Sequence, residues 1–196
     1  MIMFEEALTE SGLPDIRILG VGGAGIHIAQ RVACAELPFS FLLLDSNRSC
    51  KNQALIGEGI VLGERVNPSG LGAGSDAQVG RNYALESKNE IIQAITGADM
   101  IFIVAGLGGG VGSGAVPVIA ELADDLCIPV VTFVTEPFSF EGGRRLNNAH
   151  QAKCKLESTR SAMMMLSHEQ LLSSVNRNMP LVEAMAKSGE LLADMI

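Results

Sequence analysis

Apolar residues in this chain gather in short unbroken runs, and stretches with helical spacing separate them. Residues 16–19 form one such run, closed by Gly20, and residues 41–44 another, closed by Asp45. Residues 60–62 make a shorter run, and residues 100–104 the clearest one. Residues 128–135 follow, ended by Pro137, and residues 162–166 close the series. Runs of this length bounded by turn residues read as buried strands. Helical spacing occupies residues 26–34, 77–95 with an interruption near Ser87, 115–126, 144–159 and 181–196. Residues 69–74 and 106–114 are glycine-rich loops. Strands alternating with helices of about a dozen residues predict βαβ units and a mostly parallel sheet covered on both faces. The expected fold is a three-layer, doubly wound α/β domain, which binds ligands beyond the carboxyl ends of its strands. No repeat, linker or low-complexity segment interrupts it. The last helical stretch carries an apolar stripe of Leu181, Val182, Met185, Leu192, Met195 and Ile196, with no glycine cap or proline after it. The expectation is one domain over residues 1–196 that ends within a helix of a longer parent.

Composition narrows the function classes. Of 196 residues, 47% are apolar and 18% charged, which is globular. The net charge of -8 argues against nucleic acid as a partner, because unspecific binding needs a dense Lys/Arg surface. A phosphate ligand must then be held mainly by backbone N–H groups. The four cysteines, Cys34, Cys50, Cys127 and Cys154, form no C-x-x-C pair, and most have apolar neighbours, so they read as buried free thiols. The three histidines are scattered and suggest no metal site. The N-terminus has no secretory pattern, and the longest apolar run, 100–105, is too short to span a bilayer. A cytoplasmic protein without membrane insertion is expected.

Two glycine loops carry the candidate chemistry. Gly20-Val-Gly22-Gly23-Ala24-Gly25 lies between a strand and a helix and satisfies G-x-G-x-x-G. Its glycines allow a tight turn and let amides approach a phosphate at the helix N-terminus. Asp45 stands where a dinucleotide enzyme keeps its ribose-binding acid, so a nicotinamide-binding oxidoreductase is a rival reading, and a ligand-free turn is another. The second loop is Gly106-Leu107-Gly108-Gly109-Gly110-Val111-Gly112-Ser113-Gly114, with six glycines in nine residues. Each glycine costs roughly 0.5–1 kcal/mol against alanine in regular structure. A plain turn needs one or two, whereas consecutive N–H groups curling around an anion need several. Ser113 adds a hydroxyl. A dinucleotide fold has no use for this second cradle, and no Gly-Lys-Ser/Thr exists to make a Walker loop.

The run Gly108-Gly-Gly-Val-Gly-Ser-Gly114 resembles the signature of the FtsZ/tubulin family, G-G-G-T-G-[ST]-G, with Val111 in place of threonine. Residues 97–106 resemble the FtsZ strand leading into that loop. Gly70-Leu-Gly-Ala73-Gly74 with Val79-Gly80 resembles the third phosphate loop, residues 134–142 the sugar-binding loop, and residues 20–25 the first loop. The resemblance covers residue 16 to the C-terminus, and it is to FtsZ rather than to eukaryotic tubulin.

It implies a guanine-nucleotide-binding domain that serves polymerisation in cell division. GTP or GDP would be the ligand, with Mg²⁺ as companion cation, although no residue reads as a direct metal ligand. Gly22, Gly23, Ala24 and Gly25, with Gly108, Gly109, Gly110, Val111, Gly112, Ser113 and Gly114, would hold the phosphates. Ala73 and Gly74 would close over the terminal phosphate. Glu141 would accept from the ribose hydroxyls, and Arg145 would lie against ribose and phosphate. Met185 and Gly189 fall where the family stacks on and reads guanine. Partners would be further copies or other FtsZ-type subunits.

Departures accompany the match. Ile26 and His27 replace an asparagine, His168-Glu169 replaces Asn-Asp, and Gly189 has no side chain to read a base. Weaker guanine-over-adenine discrimination than in an ordinary FtsZ is therefore expected. The acidic Asn-x-Asp-x-x-Asp loop and the activation domain of the family are not in this sequence. Slow hydrolysis, or none, is expected, with no catalytic residue assigned. A non-catalytic relative that acts by interaction is the alternative. A β-branched residue at Gly110 is expected to abolish binding and spare the fold.

Overall fold

The computed structural model describes residues 14–35, 37–53, 56–169, 190 and 194. The sheet has six strands, β1 (Ile16–Val21), β2 (Ser40–Asp45), β3 (Glu58–Val61), β4 (Met100–Gly106), β5 (Val130–Glu136) and β6 (Ala162–Ser167). All neighbours are parallel, in the order β3-β2-β1-β4-β5-β6. The order reverses between β1 and β4, where Gly20 pairs with Val104 and Val21 with Ala105. That reversal opens a crevice beyond the strand ends.

Among the described residues the helices are α1 (Gly22–Ala33), α2 (Ala77–Glu86), α3 (Lys88–Ile95), α4 (Gly110–Asp125) and α5 (Gly143–Leu156). Successive strand residues face opposite sides of the sheet, so near-continuous apolar strands feed two cores. On one face α1 packs Ile26, Ile28, Ala29 and Val32 against Ile18, Leu43, Val104 and Phe133. Phe102 sits edge-on between Phe39 and Phe133 there. On the other face α3, α4 and α5 pack against Leu19, Leu42, Ile101, Ile103 and Val134. Among the described residues no helix is long and apolar enough to cross a membrane.

The strands and helices predicted before residue 170 are all present, with shifted ends. α4 begins at Gly110 rather than at 115, so half of the second glycine loop is helix. β5 begins at Val130, after Pro129, which has no N–H to give to a ladder. α5 stops at Leu156 rather than at 159, because Ser158 and Thr159 turn their hydroxyls back onto the carbonyls of Lys155 and Leu156. Ser87 separates α2 from α3 as expected. Two short 3-10 turns, Arg48–Gln53 and Ser139–Glu141, carry no periodic pattern and were not expected. The helix expected over 181–196 lies outside the described residues apart from 190 and 194. The expectation of buried thiols holds for Cys50 alone, since Cys34, Cys127 and Cys154 are exposed. Cys34 follows the last turn of α1, Cys127 turns the chain with φ 57°, and Cys154 lies on α5 beside His150. Apolar neighbours in sequence do not bury a residue at an element's end.

Helices α1, α2 and α4 come unusually close to backbone. A Cβ at Gly25 would lie 2.1 Å from the Val104 carbonyl oxygen, and one at Gly112 would lie 2.2 Å from that of Gly106. Gly80 faces the Gly110 carbonyl at 2.1 Å and Gly114 the Ala77 carbonyl at 2.2 Å. Such gaps admit only glycine. A Cβ at Gly23 would meet nothing within 4 Å. Gly25→Ala should therefore cost at least about 2 kcal/mol in urea unfolding. Gly23→Ala should leave stability unchanged or raise it by about 0.5 kcal/mol. Equal unfolding midpoints for the two variants would show that α1 does not sit on β4 in this way.

Candidate functional site

A cleft of about 300 Å³ opens at the carboxyl ends of β1, β2, β4 and β5. Its floor is the first turn of α1, Gly22, Gly23 and Ala24, together with the start of α4, Gly109 to Gly112. A helix leaves its first N–H groups without intrahelical partners. Here neither α1, preceded by Val21, nor α4, preceded by Gly109, has a side-chain cap. Helix α2 contrasts with them, because Asp76 Oδ1 accepts from the N–H of Gln78 (2.9 Å) and Val79 (3.2 Å). Two uncapped helix N-termini thus face one cavity, each with the positive end of its dipole.

One wall is the loop before α2, where Ala73 and Ser75 line the cleft. Ser75 has φ 57°, and the flanking Gly72 and Gly74 are also left-handed. The opposite wall comes from β5 and α5. Glu141 accepts from the Phe138 N–H (2.8 Å) and holds the Arg145 guanidinium. Asn148, one turn along α5, donates to the carbonyls of Ser75 (3.1 Å) and Gly108 (3.2 Å), so α5 joins the two loops. His168, at the end of β6, stacks on Phe138, which stacks on exposed Phe140. Glu169 ties the same end to Ser139, accepting from its N–H and hydroxyl.

Two ionisable groups in the cleft are displaced from their ordinary behaviour. Burial pushes the Asp45 carboxyl up, opposed by hydrogen bonds from the Asn47 and Ser46 backbone and the Ser46 hydroxyl. Burial pushes His168 down, opposed by the charge of Glu141. His168 is therefore held neutral near pH 7. Among the described residues, no group of three or more His, Cys, Asp or Glu is arranged to hold a metal ion.

Of the residues expected at the site, Gly22, Gly23, Ala24, Ala73, Gly109, Gly110, Val111, Gly112, Glu141 and Arg145 line the cleft. Gly25, Gly74, Gly108, Ser113 and Gly114 do not. Gly25 and Gly114 are spent on packing against β4 and α2. Ser113 is buried, and its oxygen accepts from the Gly108 N–H at 2.7 Å, which ties the loop to its own helix. Met185 and Gly189 lie outside the described residues. Ile26 is buried in the core and His27 is exposed on α1 beside Gln30, so neither lines the cleft. The expectation that a bulky residue at Gly110 spares the fold does not hold. A Cβ there would lie 2.8 Å from the Ala73 Cβ and 3.0 Å from the Asp76 backbone, inside the α2–α4 contact. Ser46, Ser75, Thr135 and His168 line the cleft without having been assigned to it. Thr135 and Ser46 follow from the strand-end rule once β5 and β2 are placed, and His168 stands where the family resemblance has asparagine, whereas Ser75 had no motif to mark it.

Comparison with known proteins places this arrangement. The family model described as Tubulin/FtsZ family, GTPase domain, matches residues 15–176. The cell division protein FtsZ of Buchnera aphidicola subsp. Acyrthosiphon pisum is 33% identical over 178 residues, 90% of this chain and 46% of that protein. That of Wigglesworthia glossinidia brevipalpis is 33% identical over 183 residues, 92% of this chain and 47% of its own. The chain thus spans about half the length of the curated relatives it matches. Among solved structures, an empty FtsZ dimer from M. jannaschii superposes with a TM-score of 0.88 at 31% identity, covering 94% of this chain and 54% of that one. The GTPγS-bound protofilament of CetZ2 from Haloferax volcanii gives 0.78 at 24% identity, over 92% and 56%, and shows the shared fold.

The buried imidazole makes stability depend on pH. With its folded value below 6.5, His168 binds fewer protons in the native than in the unfolded chain just below that pH. Its contribution is complete above 6.5 and is lost as the pH falls through the folded value. Thermal melts should rise toward neutrality over that window, and His168→Gln should flatten the rise. An unchanged profile in the variant would assign the dependence to other groups.

Proposed function

Since the chain belongs to the Tubulin/FtsZ family, as the match to its GTPase-domain model over most of the sequence establishes, we propose that it binds GTP or GDP in the cleft between α1 and α4. One observation carries the reading: two uncapped helix N-termini, each with glycine at its mouth, converge on one cavity. Backbone N–H groups arranged so are a ready anion site, and they supply positive potential without lysine in a chain of net charge -8. The phosphates lie over Gly22, Gly23 and Ala24 and over Gly109 to Gly112. Ala73 and Ser75 take the terminal phosphate, and Glu141 with Arg145 faces the ribose.

Mg²⁺ fits the site through one group. Asp45 is a desolvated carboxylate that lines the cleft, and its charged form gains from a cation. Mg²⁺ bound through one carboxylate, phosphates and water needs no larger protein cage. It would neutralise phosphate charge.

Self-association belongs to the same reading, with a second copy or another FtsZ-type subunit as partner and cell division in the cytoplasm as the setting. Exposed Phe140 and Leu71, 61% and 84% accessible, stand beside the cleft walls and support contact at that end of the sheet. Hydrolysis by this chain alone is proposed to be slow. The ionisable groups lining the cleft among the described residues are Asp45, Glu141, Arg145 and His168. Glu141 is engaged with Arg145 and the Phe138 N–H, and Asp45 accepts from the Asn47 N–H, so both carboxylates of the cleft are already committed.

Binding is separable from folding at Gly109. Its φ of -78° and ψ of 172° suit any residue, and a Cβ there meets nothing within 4 Å. Aspartate at this N-cap position should hold or improve stability by capping α4. Its carboxylate should also occupy the phosphate space. Gly109→Asp is expected to melt no lower than the parent while guanine-nucleotide affinity falls at least about 100-fold, a loss near 2.7 kcal/mol. Calorimetric titration with GTP and GDP, against ATP and ADP, reads affinity and base preference together. Full nucleotide binding by the folded variant would sink the site assignment. Phosphate release from GTP should stay far below one turnover per minute, and sustained turnover by a clean preparation would reveal a catalytic group outside this reading.

A further inference from the structure

Two adjacent arginines at the start of α5 reach different partners. Arg145 lies on the cleft wall beside Glu141. Arg144 instead reaches toward the loop before α2, where its Nη2 is 3.5 Å from Asp76 Oδ2. Asn148, four residues on, fixes the helix to Ser75 and Gly108, so this division is built into the position of α5.

Asp76 has a conflict to resolve. Its Oδ1 caps α2, a favourable place for a carboxylate. Yet it follows directly on Ser75, which lines the wall where a terminal phosphate would rest. A fixed negative charge there repels further negative charge across the rim. The pair that offsets it is weak: the side chains are 64% and 46% accessible and the contact is long. An arginine held so loosely can turn to a stronger anion nearby.

Resting on the nucleotide reading above, we propose that Arg144 sets the preference of the site for triphosphate over diphosphate, by neutralising Asp76 at the rim and bridging to the terminal phosphate. A diphosphate lacks the group that Arg144 would meet. Without Arg144, the Asp76 carboxylate opposes the extra charge of the triphosphate. Without the Asp76 charge, the opposition disappears.

The test compares affinities of the full chain for GDP and for a non-hydrolysable GTP analogue, with the fold checked by circular dichroism. Arg144→Gln should lower triphosphate affinity about three- to tenfold more than diphosphate affinity, and Arg144→Lys should recover part of the loss. Asp76→Asn keeps an N-cap oxygen and should raise the triphosphate preference by a similar factor. The double variant, Asp76→Asn with Arg144→Gln, should return most of the way to the parent preference, which a merely structural role for Arg144 would not produce. Equal changes for both nucleotides, or no change in Arg144→Gln, overturn the assignment while the cleft reading stands. Failure of the unaltered chain to bind either nucleotide overturns the cleft reading and this one with it.

Discussion

The architecture turns on how closely two helices approach one strand. Helix α1 reaches β4 with Gly25 against the Val104 carbonyl, and α4 folds back with Gly112 against that of Gly106. A methyl group at either point would overlap a backbone oxygen. Because those contacts occur in the first turns, both helices start within the crevice left by the reversal of strand order. The uncapped N–H groups are then aimed at one place by packing rather than by any side chain. The cavity is a by-product of tight backbone contact.

The remaining parts of the site work around this core. Electrostatic potential inside the cleft comes from backbone dipoles, and the side chains modulate it. Glu141 orients Arg145 while anchored on the Phe138 N–H. Asn148 spans both glycine loops. Asp45, a cleft carboxylate that burial pushes up, sets its charge against those dipoles. His168 is kept neutral by burial, so it adds shape and polarity to the wall without charge.

Much of this was legible in the chain before its structure. Strands such as 100–104 are continuous apolar runs, and only a sheet covered on both faces buries them. The two glycine loops announced themselves because several adjacent glycines are costly without a reason. The reason was read too simply. Crowding at Gly110 and Gly114 comes from chain segments more than thirty residues away, which no local pattern encodes, whereas Gly112 is crowded by the Gly106 carbonyl of its own loop. Ser113, read as a ligand donor, is buried and its oxygen accepts from the Gly108 N–H. Ser75 reached the cleft through tertiary placement alone, whereas His168 stands where the family resemblance has asparagine. The exposed cysteines were misread because apolar neighbours along the chain say little about which side of a helix end meets solvent.

The division among the glycines bears on how such a sequence would drift over generations. Gly25, Gly80, Gly112 and Gly114 are fixed by the backbone atoms that face them, so any descendant that still folds must keep them. Gly23 and Gly109 face open space, and nothing in the fold forbids a side chain there. A lineage that abandoned its ligand would lose glycine first at 23 and 109, with the rest of the signature intact. The crowded glycines thus answer to the fold, whereas the fold alone does not require glycine at these two positions. This chain keeps glycine at 23 and 109, while its signature run carries Val111 in place of threonine.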